Sequence, residues 1–127
     1  MHDQPSVSEL VAAVRGFISD SAAPQLTGHA AFHARVAINV LDIVLRDLDG
    51  RAENDRKETA SLAALLDVSA DAHSHSEMVR MLCEKLRSSE LTLDTPGLLE
   101  HLKTTAIAQL EVDQPKYSGL REALGRP

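Results

Sequence analysis

The sequence predicts an all-α fold, an antiparallel bundle of four to five helices with the second helix central. Three observations carry that expectation. The apolar content is aliphatic, with 18 Leu, 17 Ala, 9 Val and 4 Ile, and leucine and alanine are strong helix formers. Apolar residues recur at spacings of three and four rather than two. The five prolines and six glycines fall mostly between the periodic segments, where they act as breakers.

The first helix is predicted from "SVSE", where Ser6 and Glu9 make a capping box just after Pro5. Leu10, Val14, Phe17 and Ile18 then recur on one side, the mark of a face to be buried. "DSAAPQLTG" ends it through Pro24 and Gly28. The second helix, "HAAFHARVAINVLDIVLRDL", spans His29 to Leu48 and should close at Asp49-Gly50. "RAENDRKE" carries six charges in eight residues and reads as a solvated loop or exposed first turn. A short third helix follows in "TASLAALLDV", through Leu62, Leu65 and Leu66.

Ser74 and Glu77 form a second capping box, ahead of a helix bearing Met78, Val79, Leu82 and Leu86. "LTLD" alternates, but four residues are too few to predict a strand. The last long helix is predicted with Thr95 as N-cap and Pro96 in its first turn. Its apolar face would be Leu99, Leu102, Ala106 and Leu110, with Pro115 as the stop. Together these make one domain, residues 1–127, whose segment 113–127 is a tail packing on the bundle. In that tail Pro115 and Tyr117 could fold back, giving Tyr117 a buried ring; a partner-docking tail is the other case.

Charge and composition exclude several functions. With 13 Lys+Arg against 19 Asp+Glu, the net charge is -6, which disfavours binding to nucleic-acid phosphates. Phe17, Phe32 and Tyr117 are the only Phe, Tyr or Trp residues, so no stacking platform for bases exists. Cys83 is the lone cysteine, as suits a reducing compartment. "MHDQPSVSEL" lacks the basic and apolar regions of a secretory signal, and no apolar run is long enough to span a bilayer. The expectation is a cytoplasmic protein with no membrane partner.

One feature is unusual for a helix so apolar. Arg35, Asn39, Asp42 and Arg46 line up within about 60° of arc on the second helix. Phe32, Val36, Val40 and Ile43 flank this seam on one side; Ile38, Leu41 and Leu45 lie farther round on the other. Three readings stand open. The seam is a narrow solvent strip with an Asp42–Arg46 pair. It is a buried polar network joining the helix to another helix or subunit. Or it is a ligand site, with Arg35 anchoring an anion and Asn39 orienting it.

Other chemistry is thin. His29 and His33 stand one turn apart on one face and are weak metal candidates, but the local sequence offers no further ligand at a suitable spacing. No metal and no cofactor are expected. His73 and His75 lie in a connector, and His101 is most simply a surface residue. Glu84 beside Cys83 would raise rather than lower its thiol pKa, which favours an inert, packed cysteine. The sequence contains no GxSxG, GxxxxGK[ST] or GxGxxG motif, so an enzyme has no nucleophile, base or cofactor box to stand on.

Three blocks, "MHDQPSVSELVAAVRGFI", "GHAAFHARVAINVLDIVLRDL" and "LLEHLKTTAIAQLEVDQPKYSG", resemble a small bacterial family of functionally uncharacterised helical domains. In that family the genes occur beside, or fused to, phosphotransferases of the aminoglycoside-phosphotransferase and choline-kinase-like type, often near acyl-CoA dehydrogenases. The resemblance covers roughly two-thirds of the chain; residues 51–93 carry nothing distinctive. It implies an accessory role beside a phosphotransferase-like partner in acyl-CoA or small-molecule catabolism; taken with the missing catalytic motifs, the expectation is a non-enzymatic accessory or interaction module, with a homodimer as one form. "FHARVAINVL" and "DQPKYS" are its most characteristic stretches. Ligand or interface candidates are therefore His33, Arg35, Asn39, Asp42 and Tyr117. The alternative is a bundle that binds a small anionic molecule between its helices.

Overall fold

Local hydrogen-bonding chemistry sets most helix ends in the computed structural model, which describes residues 3–127. The first two residues of the "MHDQ" block lie outside the described part. Helix α1 is Val7–Phe17, capped as predicted: Ser6 Oγ accepts from the Glu9 amide at 3.2 Å, and Glu9 Oε2 accepts from the Ser6 amide at 2.7 Å. The chain then widens into a π turn, Ile18–Ala22, and tightens into a 3₁₀ turn, Ala23–Gln25, around Pro24. Leu26 is extended, and the helical run stops there.

Helix α2 runs from Gly28 to Leu66 without interruption. This corrects the predicted stop at Asp49-Gly50 and merges the expected second and third helices. The charged stretch is helical because its opposite charges sit at helical spacing. Asp47 pairs with Arg51, and Glu53 pairs with both Arg56 and Lys57, the last at 3.2 Å. Gly50 costs the helix about 1 kcal/mol relative to alanine, which is too little to end a segment flanked by helix formers on both sides. The actual stop is a Schellman turn at Asp67, whose φ is +56°. There Val68 donates to the Ala63 carbonyl at 3.0 Å and Asp67 to the Ala64 carbonyl at 3.4 Å.

Helix α3, His75–Arg87, has the second predicted capping box, with Ser74 and Glu77 bonded reciprocally at 2.7 and 3.3 Å. "LTLD" forms a turn: Thr95 Oγ1 accepts from the Thr92 amide at 2.9 Å, and the Thr95 amide donates back to the Thr92 carbonyl. With its hydroxyl engaged there, Thr95 does not cap the next helix, contrary to expectation. Gly97 takes the N-cap position at φ +87°, a left-handed geometry that favours glycine, and α4 is Leu98–Asp113. A final helix, α5, is Ser118–Ala123. The described residues contain helices, turns and bends and no strand.

The chain divides into two compact units, residues 1–51 and 52–127, and α2 contributes to both. The second unit holds the main core. Leu62, Ala63 and Leu66 of α2 meet Met78 and Leu82 of α3 and Leu98 of α4. Leu120 of α5 is also buried, and α5 packs on α4. The covered side of α4 is not the predicted one: Leu99 and Leu102 are exposed, whereas Leu98 and His101 are buried. His101 hides well because its polar edge is satisfied. Its Nδ1 lies 2.7 Å from Ser61 Oγ on α2, so the expectation of a surface histidine is overturned.

Candidate functional site: the open face of the helical hairpin

In the first unit α1 doubles back along the first half of α2. Val11 and Arg15 of α1, with Ile18 of the π turn that continues it, form a partly buried strip. On α2 the matching strip is Ala34, which is buried, with Ile38, Leu41 and Leu45 partly buried. Across this contact the Arg15 guanidinium grips Asp42 in a fork, Nε to Oδ1 at 2.9 Å and Nη2 to Oδ2 at 3.3 Å. The hydrogen bonds from Arg15 hold the Asp42 carboxyl below the usual carboxylate range. Partial burial opposes them, and the charges of Arg15 and Arg46 add to them. The same contact raises the Arg15 pKa.

A group whose folded pKa is depressed stabilises the fold above its unfolded pKa, and that stabilisation is lost as pH falls through the folded value. Asp42→Asn is therefore expected to lower the melting temperature at neutral pH. The gap to the parent protein should close as pH drops below the ordinary carboxylate range. A gap that stays constant from neutral to acid pH would show that the carboxylate charge is not what holds α1 on α2.

The polar seam is thus divided. Asp42 turns toward α1, and Arg46, partly buried, adds its charge nearby. Arg35 and Asn39 stand exposed. His29 and His33 are exposed as well, with the His33 ring edge-on to Phe32 at 5.6 Å between centroids. Among the described residues no group of three or more His, Cys, Asp or Glu could hold a metal ion. His75 Nε2 lies 3.2 Å from Glu58 Oε1, and Cys83 is a free, partly buried thiol. Tyr117 is half exposed, its ring folded against Gly119, and Leu120 is the residue the tail buries.

Beside these polar residues the hairpin leaves two apolar rows open. On α1 the exposed row is Val7, Leu10, Val14 and Phe17, within about 80° of arc. Three of these residues belong to the face predicted to be buried. On α2 the exposed row is Phe32, Val36, Val40, Val44 and Leu48, each four residues from the last. Of the two apolar arcs read from the sequence, the Ile38–Leu41–Leu45 side is covered and the Phe32–Val36–Val40 side is open. Measured from the strips that face each other, Phe32 and Val36 lie on the far side of α2, while Val40, Val44, Leu48 and the α1 row are displaced in the same rotational sense. In two helices running back on each other, that puts them on one side of the hairpin. Periodicity signals such a face but not whether the chain itself supplies a cover.

A family model described as "Domain of unknown function (DUF6285)" matches residues 24–117. The match takes in all of α2, α3 and α4, with Arg35, Asn39, Asp42 and Tyr117, and leaves α1 outside. No curated protein and no solved structure matches the chain.

Proposed function

The chain belongs to the DUF6285 family, and from that premise we propose that it is a non-enzymatic interaction module that works assembled with other chains. The observation that carries this reading is the apolar surface that α1 and the first half of α2 leave open, whose nine residues are 37% to 64% exposed. The largest contiguous apolar patch on a chain that acts alone is typically about 300–600 Å², because larger ones cost more in contact with water. The resemblance of "FHARVAINVL" and "DQPKYS" to a phosphotransferase-associated family supports a partner. That partner is a phosphotransferase-like enzyme of acyl-CoA or small-molecule catabolism, with this chain acting beside it in the cytoplasm, as a homodimer. No helix among the described residues is long and apolar enough to cross a membrane, which accords with that setting.

The test is co-expression with the phosphotransferase encoded beside it. Tagged enzyme is expected to retain this chain through affinity purification and size exclusion, and its turnover or substrate affinity to change when the chain is present. Absence of both a complex and any kinetic change removes the enzyme partner.

A further inference from the structure

The two units differ sharply in what holds each of them. In the first, Ala34 is the one buried residue among those described, and it brings a single methyl group. The second buries Leu62, Met78 and Leu98 completely, and Leu66, Leu82 and Leu120 nearly so. We propose that the first unit is a separately opening element. Helix α1 and the half of α2 beneath it come apart and reclose while the second unit stays folded, with the Arg15–Asp42 fork as the catch.

Elements with few buried apolar contacts open at the low end of a protein's stability scale. Helix α1 has no buried residue. It turns Val11 and Arg15 toward α2 and leaves Val7, Leu10, Val14 and Phe17 exposed, so its larger apolar row does little to hold it down. At 11 residues it is also too short to persist as an isolated helix in water. The π turn and the 3₁₀ turn that follow bury no residue either, and Leu26 beyond them is extended.

The half of α2 under α1 goes with it. Its covered strip is Ala34, Ile38, Leu41 and Leu45, while Phe32, Val36, Val40 and Val44 are exposed even with α1 in place. Once α1 leaves, residues 28–45 lose their apolar cover, and a helix without a packed face is marginal. From Ser61 onward α2 is held independently, by the Ser61–His101 contact and by Leu62, Ala63 and Leu66 in the main core.

The fork works against opening. Arg15 donates through Nε and Nη2 to both carboxylate oxygens of Asp42; Arg46 adds its charge at Asp42, and Asp20 adds its own at Arg15. The two side chains are 35% and 32% exposed, so water partly screens the pair, and it holds the unit shut without locking it. Charge thereby sets how often the hairpin that carries His33, Arg35 and Asn39 stands closed.

Native-state hydrogen exchange of the full chain, read residue by residue and corrected for intrinsic rates, is the test. Amides of Val7–Phe17 and of residues 28–45 are expected to exchange at least about tenfold faster than those around Leu62, Met78 and Leu98. Asp42→Asn should speed the first group further, by up to about fivefold, and leave the α3 and α4 amides unchanged. Equal protection in the two groups, or an Asp42→Asn chain in which both speed up alike, would overturn the proposal. The pattern of the parent chain decides the first point even if the variant does not fold. No partner enters the measurement. Loss of the phosphotransferase complex leaves this opening standing, and uniform protection leaves the interaction module standing.

Discussion

Replacing Leu62 by alanine is expected to cost about 2–5 kcal/mol of folding stability, the range for deleting a fully buried leucine side chain. Leu62 has no exposed surface and sits where three helices converge, against Met78 and Leu98, which are also fully buried. Truncation removes three carbons from contact with α3 and α4 and leaves a cavity the helices close only in part. Urea unfolding followed at 222 nm should show the midpoint falling while the slope stays constant, since the surface exposed on unfolding hardly changes. Leu99→Ala is the control. Leu99 adjoins buried Leu98 in sequence but is exposed, so its loss should stay within about 0.5 kcal/mol. If both substitutions cost the same, the second unit is not packed around Leu62.

The second large effect concerns the Ser61–His101 hydrogen bond. His101 is 5% exposed, and its Nδ1 takes part in a 2.7 Å contact with Ser61 Oγ. Among the described residues every buried side-chain nitrogen or oxygen has a hydrogen-bond partner, so the second unit leaves no polar atom stranded. Ser61→Ala would strand the histidine nitrogen, at a cost of about 1–3 kcal/mol. His101→Leu combined with Ser61→Ala removes both partners and should recover much of that loss, since an apolar pair needs no partner. A double-mutant cycle on chemical unfolding reads the difference. Strict additivity would mean that the two side chains do not depend on each other, and that α4 is held on α2 by its leucines alone. The bond is a structural clamp that joins α4 to α2.

Much of the fold was legible in the sequence where the determining chemistry is short-range. Ser6 with Glu9, and Ser74 with Glu77, announce two helix starts because each box closes within three residues. Pro24 announces the end of the first helical run in the same way. The charged stretch after Gly50 misled because its composition resembles a loop, while its signs, placed three and four apart, favour continuing the helix. Thr95 misled for a related reason: a threonine hydroxyl can serve the turn behind it or the helix ahead, and Thr92 claimed it. Of the candidate site, the seam and the apolar rows could be named residue by residue. The grip of Arg15 on Asp42 could not, because it joins positions 27 apart.

Residue order alone dictates that the chain is built of amphipathic helices, where several of them begin, and which residues share a helical side. Those properties depend on 3.6-residue periodicity and on hydrogen bonds between near neighbours. Which sides are covered depends on how the helices pack. That packing turned Leu98 and His101 inward in place of Leu99 and Leu102, and left the Phe32–Leu48 row in water. Burial is decided by what stands opposite a face, and no window of sequence contains its own neighbour.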